Sequence, residues 1–348
     1  MKLCTKCVMP ETKPGITFDK KGVCSACKNH EKKKKIDWEA RFQVFDSTFS
    51  DIPNDINSRY DVLIPVSGGK DSITQVYYAL KIGLSVLAVN VDYGVKAEIG
   101  KYNLSLIPKM GCDLITFTPD QDLHRDLMKH AFIQTGTPDA INHPLLYCYP
   151  LHLAEQLNIP FVLFGENPAF EYVGDSTFKP FQDIDERWYE KYIAYDVDFL
   201  KGYVLTNWQS SSPAYYFLPK NRKAKVLFMG DYVFWDSFQN YQIAKKYGFK
   251  TDGRRTGTYR EYSGIDEEIN FLHQWTKYCK FGFGRATDHA CEDIRNGRMS
   301  RKDGLDKVLY YDGEEPPIFI IDSFCKHIGI TFEQFTNVMK TKNKRIGE

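Results

Sequence analysis

The chain lacks any apolar stretch near the roughly 20 residues that a membrane-crossing helix needs, and its first residues lack the apolar core of a signal peptide. Those absences point to the cytoplasm. A surplus of one charge is missing too: 46 Lys and Arg against 45 Asp and Glu leave a formal net charge of +1. Near-neutrality argues against a general nucleic-acid binder. The run Lys32 to Lys35 is the local exception and reads as a solvated helix face. There is no internal repeat, coiled coil or other low-complexity tract. The G-x-x-x-x-G-K-[ST] spacing of a Walker loop is absent, and no cysteine stands at position 1 or 2 or within a Gly-x-Cys-x-Gly elbow. The chain therefore carries no recognisable glutaminase of its own.

What is present suits an enzyme. With 348 residues, 43% hydrophobic and 26% charged, the chain is long enough for one large α/β domain with additions, or for two domains. Nine cysteines in a reducing compartment call for an explanation other than disulfides. Cys4 and Cys7, sixteen intervening residues, then Cys24 and Cys27 reproduce the C-x₂-C-x₁₅₋₂₀-C-x₂-C spacing of a zinc ribbon. Four thiolates close a tetrahedral site against water, which makes a structural zinc the expectation, with an iron-sulfur cluster as the alternative. Cys112, Cys148, Cys279, Cys291 and Cys325 are scattered and read as small core residues.

The stretch IPVSGGKDSI, residues 64–73, follows a short β-branched run and precedes Ile73, Val76, Tyr77 and Leu80 at helical spacing. Ser67 to Ser72 therefore occupy a strand-to-helix turn. Small residues there let backbone N–H groups converge on an anion, with the Ser67 and Ser72 hydroxyls and the Lys70 ammonium as further donors. Ser85 to Val91, Asp113 to Phe117 and Phe161 to Phe164 read as further strands, and Pro144 to Leu157 as a helix. This βαβ rhythm predicts an open, mostly parallel sheet with helices on both faces and ligands beyond the C-terminal strand ends. Besides the Ser67–Ser72 turn, those ends carry Asp92 after the second strand, and Gly165, Glu166 and Asn167 after the fourth.

Beyond about Glu171 the texture becomes aromatic-rich helices and loops. Residues 280–301 set Lys280, Arg285, Asp288, His289, Arg295, Arg298 and Arg301 among glycines, a density of cations suited to phosphate or carboxylate. His289 is a general acid or base, or a helix-start histidine. The expected division is a cysteine module and linker helix over residues 1–40, a nucleotide-binding α/β domain over 55–235, and a helical substrate or partner region over 236–348.

Ser67-Gly68-Gly69-Lys70-Asp71-Ser72 resembles the PP-loop of the ATP pyrophosphatases, a superfamily that includes GMP, NAD and asparagine synthetases and tRNA thiolation enzymes. With the N-terminal cysteine segment, GENPAFEYVGD, GDYVFWD and KFGFGRATDHACEDIRNGRMSR, the chain is similar along nearly its whole length to the N-acetyl sugar amidotransferases. Those proteins are associated with acetamidino sugars of bacterial O-antigens and flagellar glycans. The family has Glu-Tyr-Gly-Gly where this chain has Glu171-Tyr172-Val173-Gly174.

The resemblance implies ATP, Mg²⁺ and cleavage to AMP and pyrophosphate, with the acetamide carbonyl oxygen of an N-acetylated acidic or nucleotide-linked sugar as nucleophile. Ser67, Gly68, Gly69 and Ser72 would surround the pyrophosphate, with Lys70 a fixed cation, Asp71 a Mg²⁺ ligand, and Asp92 and Gly165 in the nucleotide site. Lys280 and Arg285 would take the α-phosphate or the sugar's anionic group, and Glu166 would orient ammonia or accept its proton. Ammonia would come from a separate glutaminase with a cyclase-like barrel partner. A PP-loop tRNA thiolase, with Cys112 or Cys148 carrying sulfur, is the rival reading.

Overall fold

The computed structural model describes residues 1–50, 58–166, 180–194, 200, 202–203, 212–253 and 256–342. Asn167 and the segment containing Glu171 to Gly174 lie outside the described residues. Five strands, β1 (Val62–Pro65), β2 (Val86–Val91), β3 (Asp113–Phe117), β4 (Phe161–Phe164) and β5 (Lys225–Phe228), form one sheet in the order β3-β2-β1-β4-β5. Every pairing is parallel, with Val62 opposite Val86 on one side and Phe161 on the other. The central strands are apolar apart from Asn90 of β2, as expected where helices cover both faces, and β2 and β4 are buried throughout. On the edge strand β3, Asp113, Ile115 and Thr116 are exposed, so only the inner strands needed an unbroken apolar sequence.

The predicted sheet is thus present with four of its strands within two residues of the expected bounds. The fifth, β5, corrects the reading of everything beyond Glu171 as helix and loop. Its Lys-Val-Leu-Phe run is only four residues long and packs as an edge, where periodicity carries little signal. The helix expected from Pro144 runs from Asn142 to Gln156.

Chain order reverses at β1. The connections from β1 lead outward to β2 and β3 on one side, whereas β4 and β5 lie on the other. At such a switch point the loops after β1 and β4 part and leave a crevice. The turn Ser67–Ser72 and the pair Gly165-Glu166 stand at its two lips.

A second, smaller core lies apart from the sheet. Cys4, Cys7, Val8, Met9, Cys24, Ala26 and Cys27 pack with Ala290 and Cys291 of the helix Arg285–Arg295, while Leu305 and Val308 of the helix Arg301–Tyr311 close it. Arg301 fastens the two parts, its Nε donating to the carbonyls of Cys4 at 3.2 Å and Cys7 at 3.0 Å. The first and last portions of the chain therefore share one core. Among the described residues no helix is long and apolar enough to cross a membrane.

Candidate active site

The turn after β1 is built around its glycines. Gly68 has φ +94°, open to glycine at little cost, and a Cβ there would lie 2.4 Å from the carbonyl oxygen of Gly100. Ser67 N–H donates to Ser72 Oγ at 2.9 Å, Gly69 N–H donates to Ser67 Oγ at 3.3 Å, and Lys96 Nζ braces the Ser67 carbonyl at 2.8 Å. The helix Lys70–Lys81 begins with extended Gly69 and no side-chain cap. Its first N–H groups thus lack a side-chain cap at the positive end of the helix dipole, the arrangement that binds phosphate.

Lys70 is buried, and its Nζ lies 2.7 Å from Asp71 Oδ2. Asn240, on the helix Ser237–Lys246, donates to Asp71 Oδ1 at 2.8 Å, and Thr74 Oγ1 donates to the Asn240 carbonyl at 3.1 Å. A helix from beyond the sheet therefore sets the Asp71 carboxylate.

Two chambers open from this turn. One, of about 280 Å³, lies over the strand ends and is walled by Val66, Val89, Val91, Leu146 and Phe164, with Ser67 and Ser72 at its edge. The other, of about 350 Å³, is charged: Lys13, Lys33, Lys70, Arg285 and Arg295 face Asp288 and Glu292. Asp71, Gly165 and Glu166 line both, so they form the passage between them. Glu166 accepts from Tyr147 Oη at 2.6 Å. A Cβ at Gly165 would fall 1.6 Å from Gln75 Nε2, so any side chain there requires Gln75 to move.

The other sequence candidates fall in different places. Arg285 lines the charged chamber, but Lys280 Nζ is held by Thr137 Oγ1 at 2.5 Å and lines neither chamber. The Asp92 carboxylate accepts from Gly94 N–H at 3.0 Å in a local turn and also lines neither. His289 is buried with both ring nitrogens engaged, by Thr258 Oγ1 at 2.6 Å and Ser263 Oγ at 3.1 Å. Burial, then Arg260 and Arg285, push it well below its usual range, and the residue also lines the charged chamber. Lys13, His30, Lys33 and Tyr147 were not legible as site residues, since each lies far in sequence from the turn they approach.

The four module cysteines are fully buried, and their sulfurs lie within 4.8 Å of one another. Cys4 Sγ is 3.9 Å from Cys27 Sγ, and Cys7 Sγ is 3.7 Å from Cys24 Sγ. A tetrahedron with bonds of about 2.3 Å has edges of about 3.8 Å, so the spacing fits a single ion. A multi-iron cluster would stand between the cysteines and spread them. Backbone N–H groups of Lys6, Cys7 and Cys24 point at Cys4 Sγ at 3.3 to 3.4 Å, stabilising thiolate charge. One metal ion per chain is expected by elemental analysis of gently purified protein. Cys24→Ser should release it and lower the melting temperature by many degrees, because Arg301 and Cys291 pack on the same knuckles. Metal-free wild-type protein of unchanged stability would contradict this.

An open parallel sheet with a Ser-Gly-Gly-Lys-Asp-Ser anion turn at its switch point is the fold expected of the PP-loop type. Residues 222–347 match the family described as LPS biosynthesis protein WbpG-like, C-terminal domain, and over that part the chain is WbpG-like. No curated protein matches. Solved structures with a similar outline include NMN synthetase from Francisella tularensis, at 14% identity over 79% of this chain and 92% of that one, TM-score 0.39. The U34-tRNA thiolase NcsA from Methanococcus maripaludis, with its [4Fe-4S] cluster, is similar at 14% identity over 86% and 87% of the two chains, TM-score 0.35. NH3-dependent NAD synthetase from Campylobacter jejuni subsp. jejuni NCTC 11168 is similar at 15% identity over 54% and 94%, TM-score 0.29.

Proposed function

We propose that the protein is an ATP-dependent amidotransferase that converts the N-acetyl group of a sugar to an acetamidino group, forming AMP and pyrophosphate. The observation that carries this reading is the joined pair of chambers, an apolar one and a charged one meeting at Asp71, Gly165 and Glu166. The apolar chamber suits a nucleoside, the turn its phosphates, and the charged chamber a polar acceptor reaching the same passage. The WbpG-like domain, associated by its description with LPS biosynthesis, supports a sugar as that acceptor.

Amide resonance makes the acetamide carbon a poor electrophile and its oxygen the better nucleophile. In the reading proposed, that oxygen attacks the α-phosphorus of ATP and pyrophosphate leaves. Ammonia then adds to the imidate carbon, one proton passes to Glu166, and AMP departs with the former carbonyl oxygen. Lys70 and the uncapped N–H groups of the Lys70–Lys81 helix neutralise charge on the leaving pyrophosphate. Mg²⁺ accompanying ATP would add to that neutralisation, and Asp71 is the carboxylate in the turn that would hold it. A closed cysteine module does no chemistry of this kind, and zinc there is structural. Ammonia supplied by a separate glutaminase with a barrel partner completes the scheme.

The thiolase alternative loses support from its proposed sulfur carriers. Cys148 is fully buried, and burial raises its thiol far above the usual range; Cys112 is also buried, pushed up to about 11. Neither lines a chamber. Isotopes test the proposal: oxygen-18 in the acetyl carbonyl is expected in AMP, and nitrogen-15 from ammonium in the sugar as amidine. ADP as product, or oxygen-18 retained in the sugar, would end it.

A further inference from the structure

One wall of the charged chamber belongs to the cysteine module. Met9, Lys13, His30 and Lys33 come from it, and Arg285 and Arg295 stand on the opposing helix. Three cations share one carboxylate here. Lys13 Nζ is 3.6 Å from Asp288 Oδ1, Arg285 Nη1 is 3.9 Å from Asp288 Oδ2, and Lys277 forms an ion pair with the same group. Burial opposes ionisation of Asp288, but Lys277, Lys13 and Arg285 outweigh it and hold the carboxyl below its usual range.

Within this cluster, three positive charges against one negative leave an excess of two. The Lys13, Lys277 and Asp288 side chains keep only 21%, 17% and 19% of their exposure, so water compensates their part of that excess poorly, while Arg285 keeps 42% and stays open to a ligand. An anion is the missing partner. His30 adds a second sign of an absent ligand. It is 8% exposed, and its Nε2 is buried with no hydrogen-bond partner. Buried polar groups are seldom left so.

We propose that the metal-bearing module is part of the substrate site: Lys13, with Arg285, holds the anionic group of the sugar, and His30 Nε2 hydrogen-bonds its ring substituents. This rests on the sugar reading above and assigns recognition of the sugar's anionic group to the cysteine module. The phosphates of ATP have their own site at the Ser67–Ser72 turn. The metal enters through geometry. Cys4 N–H donates to the Met9 carbonyl at 2.9 Å and Met9 N–H to Cys7 Sγ at 3.5 Å, so the knuckle fixes the chain just before Lys13.

Calorimetric titration of the metal-loaded full chain, saturated with a non-hydrolysable ATP analogue, tests this with three probes: N-acetylneuraminic acid, UDP-N-acetylglucosamine and neutral N-acetylglucosamine. At least one anionic probe is expected to bind about tenfold or more tighter than the neutral one; whether carboxylate or phosphate gains identifies the source of the anion. Lys13→Ala should erase that difference, Lys13→Arg should keep most of it, and neither should alter affinity for the ATP analogue. His30→Phe should weaken every probe that binds by a similar factor, about fivefold. Wild type that does not favour either anionic probe, including failure of both to bind, overturns the proposal. So does a Lys13→Ala variant with normal metal content that loses neutral and anionic probes equally, or a His30→Phe variant with unchanged affinities. The isotope experiment is separate: charge-dependent binding without amidine formation would retain this wall and remove the reaction.

Discussion

Lys70→Ala is expected to lower single-turnover AMP formation by about 10²- to 10³-fold, and Asp71→Asn by a similar factor, with metal content and far-ultraviolet dichroism unchanged. The size follows from the role: a fixed charge aimed at a leaving group acts mainly in the transition state, so its loss falls on turnover more than on ATP affinity. Stability should move little. Removing the Lys70 ammonium leaves Asp71 with Asn240 at 2.8 Å and with 39% of its side-chain surface in solvent, so no buried charge is stranded. Asp71→Asn retains the shape while removing the carboxylate charge needed beside a divalent cation. Equal AMP yields from both variants and wild type would remove the turn from the chemistry. Loss of ATP cleavage accompanied by loss of the helical signal would show instead that Lys70 serves the fold.

The anion turn and the central sheet could be read from sequence because each is local: an apolar run, small residues and helical spacing within about 20 positions. The cysteine site was legible for the same reason, its two knuckles being pattern enough. What could not be read was which distant segments meet there. Asn240 reaches Asp71 from 169 residues away, and Lys33 reaches the Trp235 carbonyl from 202. The cation-rich segment 280–301 illustrates the difference. Its composition suggested an anion site, and helix geometry sends Arg285 and Arg295 to the chamber, Lys280 to Thr137, and Arg298 to Asp236 and Asp293. Composition counts the charges and cannot say which are consumed by buried ion pairs. Asp92 illustrates another limit: it follows a strand as expected, and its carboxylate accepts from Gly94 N–H in a local turn that sequence alone does not show.

Gly68→Ala is expected to abolish ATP binding and to destabilise the protein by several kcal/mol. Two costs add. The residue sits at φ +94°, where a side chain is strained by about 1–2 kcal/mol. Its Cβ would also fall 2.4 Å from the carbonyl oxygen of Gly100, and Gly100 cannot retreat, because its own Cβ position lies 2.3 Å from the carbonyl oxygen of Asp266. Three backbone segments are stacked without intervening side chains, so the strain is relieved only by lifting the turn away from the helix Glu98–Leu104, which separates the N–H groups that would face phosphate. Gly83→Ala supplies the control: φ is +81° there, yet nothing lies within 4 Å of the added Cβ. It should show the conformational cost alone, about 1 kcal/mol, with ATP affinity intact. The difference between the two variants in thermal unfolding isolates the backbone stack, and equilibrium binding of an ATP analogue reports whether the turn has moved. If Gly68→Ala behaved like Gly83→Ala in both measurements, the turn would not depend on that stack, and its fitness as a phosphate cradle would need another cause.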